Sequence, residues 1–298
     1  MIVSQLQLRK ATLTGWFDLW RAAAVGWQTD RAKSMGAALA YYTVFSLAPI
    51  LILVIAVAGM AFSQAAAEGA IVEQLGDLMG HEGAAVLQAM IKNAGHRRAG
   101  LIATFVGLGT LLLAATAVFG ELQAALNVIW KVKPGAHKRL ASLVRARLLS
   151  LSLILAIGFL LLVSLVLSAA LTAFGHFLSG VFPGLPVMLR ALHFALSFLM
   201  TSVLFGMMFK ILPDAPVAWQ DVWIGAMTTA LLFSFGKYLI GLYIGSSNVA
   251  STYGAAGALV IILLWIYYSA QILLFGAEFT KACADRRLTA GRPIEVRR

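Results

Sequence analysis

The chain has 298 residues, of which 61% are hydrophobic and 12% charged, with a formal net charge of +11. A soluble domain carries about 25% charged residues, so this composition excludes an ordinary soluble fold and points to an integral membrane protein. The basic excess does not argue for nucleic acid, because the position of charges matters more than their sum. A lone cysteine, Cys283, excludes an intrachain disulfide and a CxxC metal site. The first apolar run begins near residue 38 and is too long for the core of a cleavable signal, so none is expected.

Residues 1–37 form a cationic segment that does not span. Thr14 is placed to cap a helix starting at Gly15, and Trp16, Trp20, Ala23 and Trp27 then recur on one face. Two readings stay open. The helix lies in the membrane interface with its Trp rings at headgroup level, or it packs on the cytoplasmic ends of the bundle. Crossing a bilayer core of about 30 Å takes about 20 apolar residues. Six runs reach that length, at about 39–62, 100–124, 147–174, 187–212, 222–245 and 254–279. They define an all-α polytopic bundle over 38–280, followed by a basic tail at 281–298. The loop at 63–99 has two helical patterns and carries Glu68, Glu73, Asp77 and Glu82, which give it an acidic tint.

Lys and Arg set the orientation. Eighteen lie in the N-terminal segment, the loop between runs two and three, the loop between runs four and five, and the C-terminal tail. Four lie in 63–99 and just before run four. The positive-inside rule then places both termini in the cytoplasm, which requires an even number of spans, and six satisfies it. Trp130, Trp219 and Trp223 fall at the cytoplasmic edge, where an aromatic belt is expected.

Small residues gather in the last two runs. Gly241 and Gly245 form a GxxxG, and Gly225, Gly236, Gly254 and Gly257 add to it, a composition that allows close helix approach. Phe119-Gly120-Glu121 loosely matches Phe235-Gly236-Lys237, which hints at an inverted repeat on three positions only. The sixth run carries a polar stripe of Tyr267, Tyr268 and Gln271, with Glu278 at its inner end.

Three stretches carry a family resemblance. They are Ala38–Pro49 with Tyr41, Tyr42, Phe45 and Ser46, then Glu121–Trp130 with Asn127, and Tyr253–Gly257 leading into Trp265, Tyr267 and Phe275–Glu278. Over roughly residues 30–285 the chain resembles the YihY/BrkB family of bacterial inner-membrane proteins. The resemblance implies six spans and a bacterial inner membrane. It supplies no catalytic residues and no substrate. Members of that family have carried a ribonuclease BN label. A metal-dependent nuclease needs clustered His and carboxylates. The five histidines, His81, His96, His137, His176 and His193, are never within ten residues of each other. No enzyme activity, cofactor, metal or nucleic-acid partner is therefore expected.

Ionisable groups inside a membrane are functional candidates by default. Lys237 lies about 12 Å below the outer end of run five, counting helical rise. Its depth neighbours are the hydroxyls of Thr110, Ser197 and Thr201, which suit an anionic ligand, while outward snorkelling is the plain alternative. Tyr41, Tyr42, Ser46 and Pro49 on run one, together with Tyr267, Tyr268 and Gln271, complete a candidate substrate pathway. Pro49 is expected to kink its helix by freeing a carbonyl near Phe45. Glu121, Glu278, Lys210 and Asp221 gather near the inner surface as a candidate gate or as interfacial salt bridges. Two functions are carried forward. One is a transporter or flippase-like protein for an anionic or amphipathic molecule, a lipid included. The other is a non-transporting scaffold of envelope assembly. Partners are the bilayer and that anionic lipid or small molecule, and a homo-oligomer is left open. The topology has a direct check: reporters fused within 63–99 should read out outside the cytoplasm and reporters at either terminus inside it, and a cytoplasmic 63–99 would overturn the orientation.

Overall fold

A computed structural model describes residues 2–61, 117–132, 185–246 and 257–290, with isolated positions 68, 69, 88 and 163. The expected run three, the first part of run two with Thr110, nearly all of the loop at 63–99 and the turn between runs five and six lie outside the described residues. Among the described residues every element is a helix. They are α1 (Ile2–Thr29), α2 (Ala32–Ala61), α3 (Ala117–Ile129), α4 (Leu185–Ile211), α5 (Trp219–Ser246) and α6 (Gly257–Ala290). Among the described residues three stretches are long and apolar enough to cross a membrane: Ala191–Ile211, Trp219–Ile240 and Leu259–Thr289. They fall on the expected runs four, five and six.

Two boundaries differ from expectation. α1 starts at Ile2, so Thr14 lies inside the helix and does not cap it. No Gly or Pro interrupts Ile2–Leu13, and leucines and glutamines there favour helix. α6 continues as helix to Ala290, past the expected start of the tail. Its 34 residues rise about 51 Å, well beyond a bilayer core of about 30 Å. α2 is helical without interruption from Ala32 to Ala61, through Pro49. One turn before the proline, the Ser46 hydroxyl donates to the Tyr42 carbonyl at 2.7 Å.

α6 is the axis. It packs against α1, α2 and α5, and α4 packs on the far side of α5. Gly15 of α1 meets Arg286, Gly26 meets Glu278, and Gly36 of α2 meets Gln271 and Tyr267. The order is reversed between the two segments, so α1 and α2 run antiparallel to α6. The face of Trp16, Trp20 and Ala23 is the one that docks. Trp20 stacks on Phe275 at 5.7 Å and lies 5.0 Å from Phe279, while Leu19, Ala23, Phe279 and Cys283 share a buried cluster. This segment therefore packs lengthwise along α6. Trp16, Phe17 and Val25 remain exposed along the same helix.

The α5–α6 seam rests on a reciprocal arrangement. Thr280 sits on Gly225, and Thr229 sits on Gly276. Each hydroxyl donates to the carbonyl four residues back in its own helix, Thr229 to Gly225 at 2.6 Å and Thr280 to Gly276 at 2.7 Å. The hydroxyls are thus satisfied within their own helices, and the glycines let the backbones close on them. Close approach of small residues is how helices associate where lipid is as apolar as leucine. A β-carbon at Gly225 would fall 2.8 Å from Thr280 Cβ and 3.2 Å from its Cα. At Gly120, by contrast, it would meet no described atom within 4 Å.

These two glycines should respond with opposite signs. Gly225→Ala should lower stability by about 1–3 kcal/mol, the usual range for overpacking, and Thr280→Ala in that background should recover part of it. Gly120→Ala should raise stability by about 0.5–1 kcal/mol through helix propensity alone. Thermal unfolding in detergent measures both, and equal destabilisation by the two would contradict the packing described.

Candidate functional site

Four helix ends meet at one end of the bundle: the α1–α2 turn, the end of α3, the α4–α5 loop and the C-terminal half of α6. Backbone geometry prepares the meeting. α3 closes with Lys131 at φ 53°, its N–H reaching the Val128 carbonyl at 3.1 Å while Val132 N–H reaches Asn127 at 2.9 Å. That is a Schellman closure made without glycine. Arg31, at φ 56°, turns α1 into α2. Left-handed backbone at a non-glycine residue costs about 1–2 kcal/mol, and both instances flank one ion pair, Lys131 with Asp30.

Asp30 lies one turn after Gly26 on the same face of α1, its N–H bonding the Gly26 carbonyl at 2.8 Å. Glu278 of α6 presses on Gly26, so its carboxyl comes beside that of Asp30. Glu278 is 3% exposed. The Asp30 side chain is 5% exposed and that of Lys131 57%. Two buried oxygens there, Glu278 Oε1 and Asp30 Oδ2, have no hydrogen-bond partner among the described residues.

The neighbouring charged and amide side chains pair among themselves or with backbone carbonyls. Asn127 and Asp214 bond reciprocally, the Asn127 amide to Asp214 Oδ2 and the Asp214 N–H to Asn127 Oδ1, both at 2.8 Å. Gln123 adds longer bonds to the same carboxylate. This fixes α3 to the α4–α5 loop. Lys210 donates to the Val217 carbonyl at 2.5 Å and lies over the Trp219 ring. Buried Asp221 sits 2.7 Å from Arg287, an ion pair whose Oδ2 angle falls short of a hydrogen bond. Arg286 donates to the Gly15 carbonyl at 2.8 Å.

The four expected gate residues therefore do not converge. Lys210 serves its own loop, Asp221 serves α6, Glu278 faces Asp30, and Glu121 is half-buried on α3 with no ion pair among the described residues. The expected polar stripe of α6 is spent on packing. Tyr268 seats on Gly236, while Tyr267 and Gln271 seat on Gly36. Gln271 also donates to the Ala32 carbonyl at 3.3 Å, and its Oε1 is buried without a partner. Tyr41 and Tyr42 face outward beside Phe45, whereas Ser46 is buried. Thr201 donates to the Ser197 carbonyl at 2.8 Å. Lys237 is half-buried and makes no ion pair among the described residues. Asp30, Lys131, Asp214, Arg286 and Arg287 were not among the expected site residues. Their partners lie far away in sequence, and the glycines at 15, 26 and 36 are the positions where α6 side chains press in. Among the described residues no three His, Cys, Asp or Glu groups are placed to hold a metal ion.

The virulence factor BrkB family model matches residues 23–297. A UPF0761 membrane protein of Alkalilimnicola ehrlichii is 30% identical over 261 residues, covering 86% of this chain and 56% of that protein. Another, from Rhodospirillum centenum, is 30% identical over 291 residues, covering 93% and 59%. A third, from Photobacterium profundum, is 29% identical over 276 residues, covering 89% and 81%. The chain thus spans less than two thirds of the first two relatives' length. No solved structure matches. With apolar helices of spanning length and relatives named as membrane proteins, the chain is a membrane protein of the virulence factor BrkB family.

Proposed function

We propose that the chain is a six-span protein of the bacterial inner membrane, with both termini cytoplasmic, that carries or flips an anionic or amphipathic molecule, lipid headgroups included. Lys237 is the observation that carries this reading. It stands within a helix of membrane-spanning length, half-buried, and no described carboxylate pairs with it. A cation kept at such depth is costly, and a ligand of opposite charge offsets that cost. The end where α1, α3, the α4–α5 loop and α6 converge is the cytoplasmic one on this reading, since Lys131, Lys281, Arg286 and Arg287 gather there. The proposed partners are the bilayer and the anionic substrate, without nucleic acid, enzymatic turnover or cofactor.

A scaffold role has its own support. Tyr267, Tyr268, Gln271, Glu278, Thr280 and Arg286 of α6 each lie against a glycine of a neighbouring helix, contacts that suit packing as well as passage. The two readings part on one substitution. Lys237→Met should cut anion or lipid flux in proteoliposomes by at least about tenfold, the loss of one charge-assisted contact of about 1.5–3 kcal/mol. Glu121→Gln should leave flux nearly unchanged. Full flux in Lys237→Met at normal membrane levels would sink the transport reading in favour of the scaffold.

A further inference from the structure

We propose that Asp30 and Glu278 form a proton-binding site, in which one proton held between the two carboxyls ties α1 to α6. The site is built from elements that the sequence separates widely: the α1–α2 turn, the end of α3 and the C-terminal half of α6. Glu278 is 3% exposed, and its Oε1 is buried without a partner among the described residues. Asp30 Oδ2, beside it, is buried and unpartnered as well. Gly26 lets Glu278 approach α1 so closely that a β-carbon there would strike the carboxylate. The carboxyl thus lies against the backbone of α1, one turn from Asp30.

The charges facing Glu278 are Asp30, Lys131 from the end of α3 and Lys281 on α6 itself. Lys131 is committed to Asp30 through their ion pair. Its side chain is 57% exposed, so much of its charge is spent on water. Lys281 is half-buried one turn further along α6 and makes no ion pair with Glu278. Two carboxylates this close and this buried cannot both stay ionised at little cost. A proton removes one charge and gives the unpartnered Oε1 and Oδ2 a donor to share. A metal ion is the less suitable occupant, since the described residues place no third His, Cys, Asp or Glu beside the pair. Loss of the proton would set two buried anions against each other across the α1–α6 contact. Proton occupancy thus controls how firmly α1 is held. The site requires no substrate and stands apart from the transport reading.

The test is pH-difference infrared spectroscopy on the full chain in lipid bilayers, with size-exclusion profiles confirming that each variant is folded. A protonated carboxyl band should appear on acidification and vanish in Glu278→Gln, while Glu121→Gln keeps it. Asp30→Asn removes the neighbouring anion, so the band should need a more acidic medium to form. Lys131→Met removes the neighbouring cation, so it should form in a less acidic one. These two opposite shifts carry the test even where Glu278→Gln does not fold. A band unaffected by Glu278→Gln, or shifts of the same sign in Asp30→Asn and Lys131→Met, would overturn the site. So would a band displaced by sodium at fixed pH, which would mark a metal-cation site.

Discussion

Polar side chains of α6 seat on glycines of its neighbours, and the remaining contacts follow from that seating. Arg286, Glu278 and Gln271 meet Gly15, Gly26 and Gly36 on one face, while Thr280 and Tyr268 meet Gly225 and Gly236 on the other. In a membrane the hydrophobic effect does not pull helices together, so close backbone approach and satisfied polar groups must do so. Glycine provides the approach by leaving no β-carbon to hold the neighbour off. The hydroxyls of Thr229 and Thr280 show how polarity is reconciled with burial, since each is satisfied by its own helix. The carboxyl of Glu278 has no such internal partner, which is why charge chemistry collects at its end of the bundle.

That end is held by three kinds of link. Asp214 fastens α3 to the α4–α5 loop by hydrogen bonds with Asn127 and Gln123. Arg287 fastens α6 to the start of α5 through Asp221. Lys131 fastens α3 to the α1–α2 turn through Asp30. The third link alone adjoins a second buried carboxyl, and the two left-handed non-glycine residues among those described flank it. Backbone strain of this kind persists only where the surroundings over-determine it.

Much of the helical frame was legible in the sequence because apolar length is a strong signal. Runs four to six read as spans and are helices of spanning length. The docking face of α1 was legible from the spacing of Trp16, Trp20 and Ala23, but not the partner, since the periodicity of one helix says nothing about which other helix it meets. The extension of α6 was missed because Lys281, Arg286 and Arg287 look like a solvated tail until α1 is seen lying along them. The basic partner of Asp221, Arg287, lies in that extension. Glu278 stands out in the sequence as the lone acidic residue near the end of the last run. Its neighbour Asp30 does not, because depth can be counted along one helix while lateral contact cannot.

The placement of α1 along α6 underlies both the axis role of α6 and the carboxyl pair, and the native cysteine offers a way to test it. Cys283 is buried in the cluster that contains Leu19 and Ala23. In native membranes under mild oxidation, a cysteine placed at Leu19 or Ala23 should form a disulfide with Cys283. One placed at the exposed Asp18 or Ala22 should form little. Equal yields at all four positions, or none at Leu19 and Ala23, would show that α1 does not lie on α6 as described.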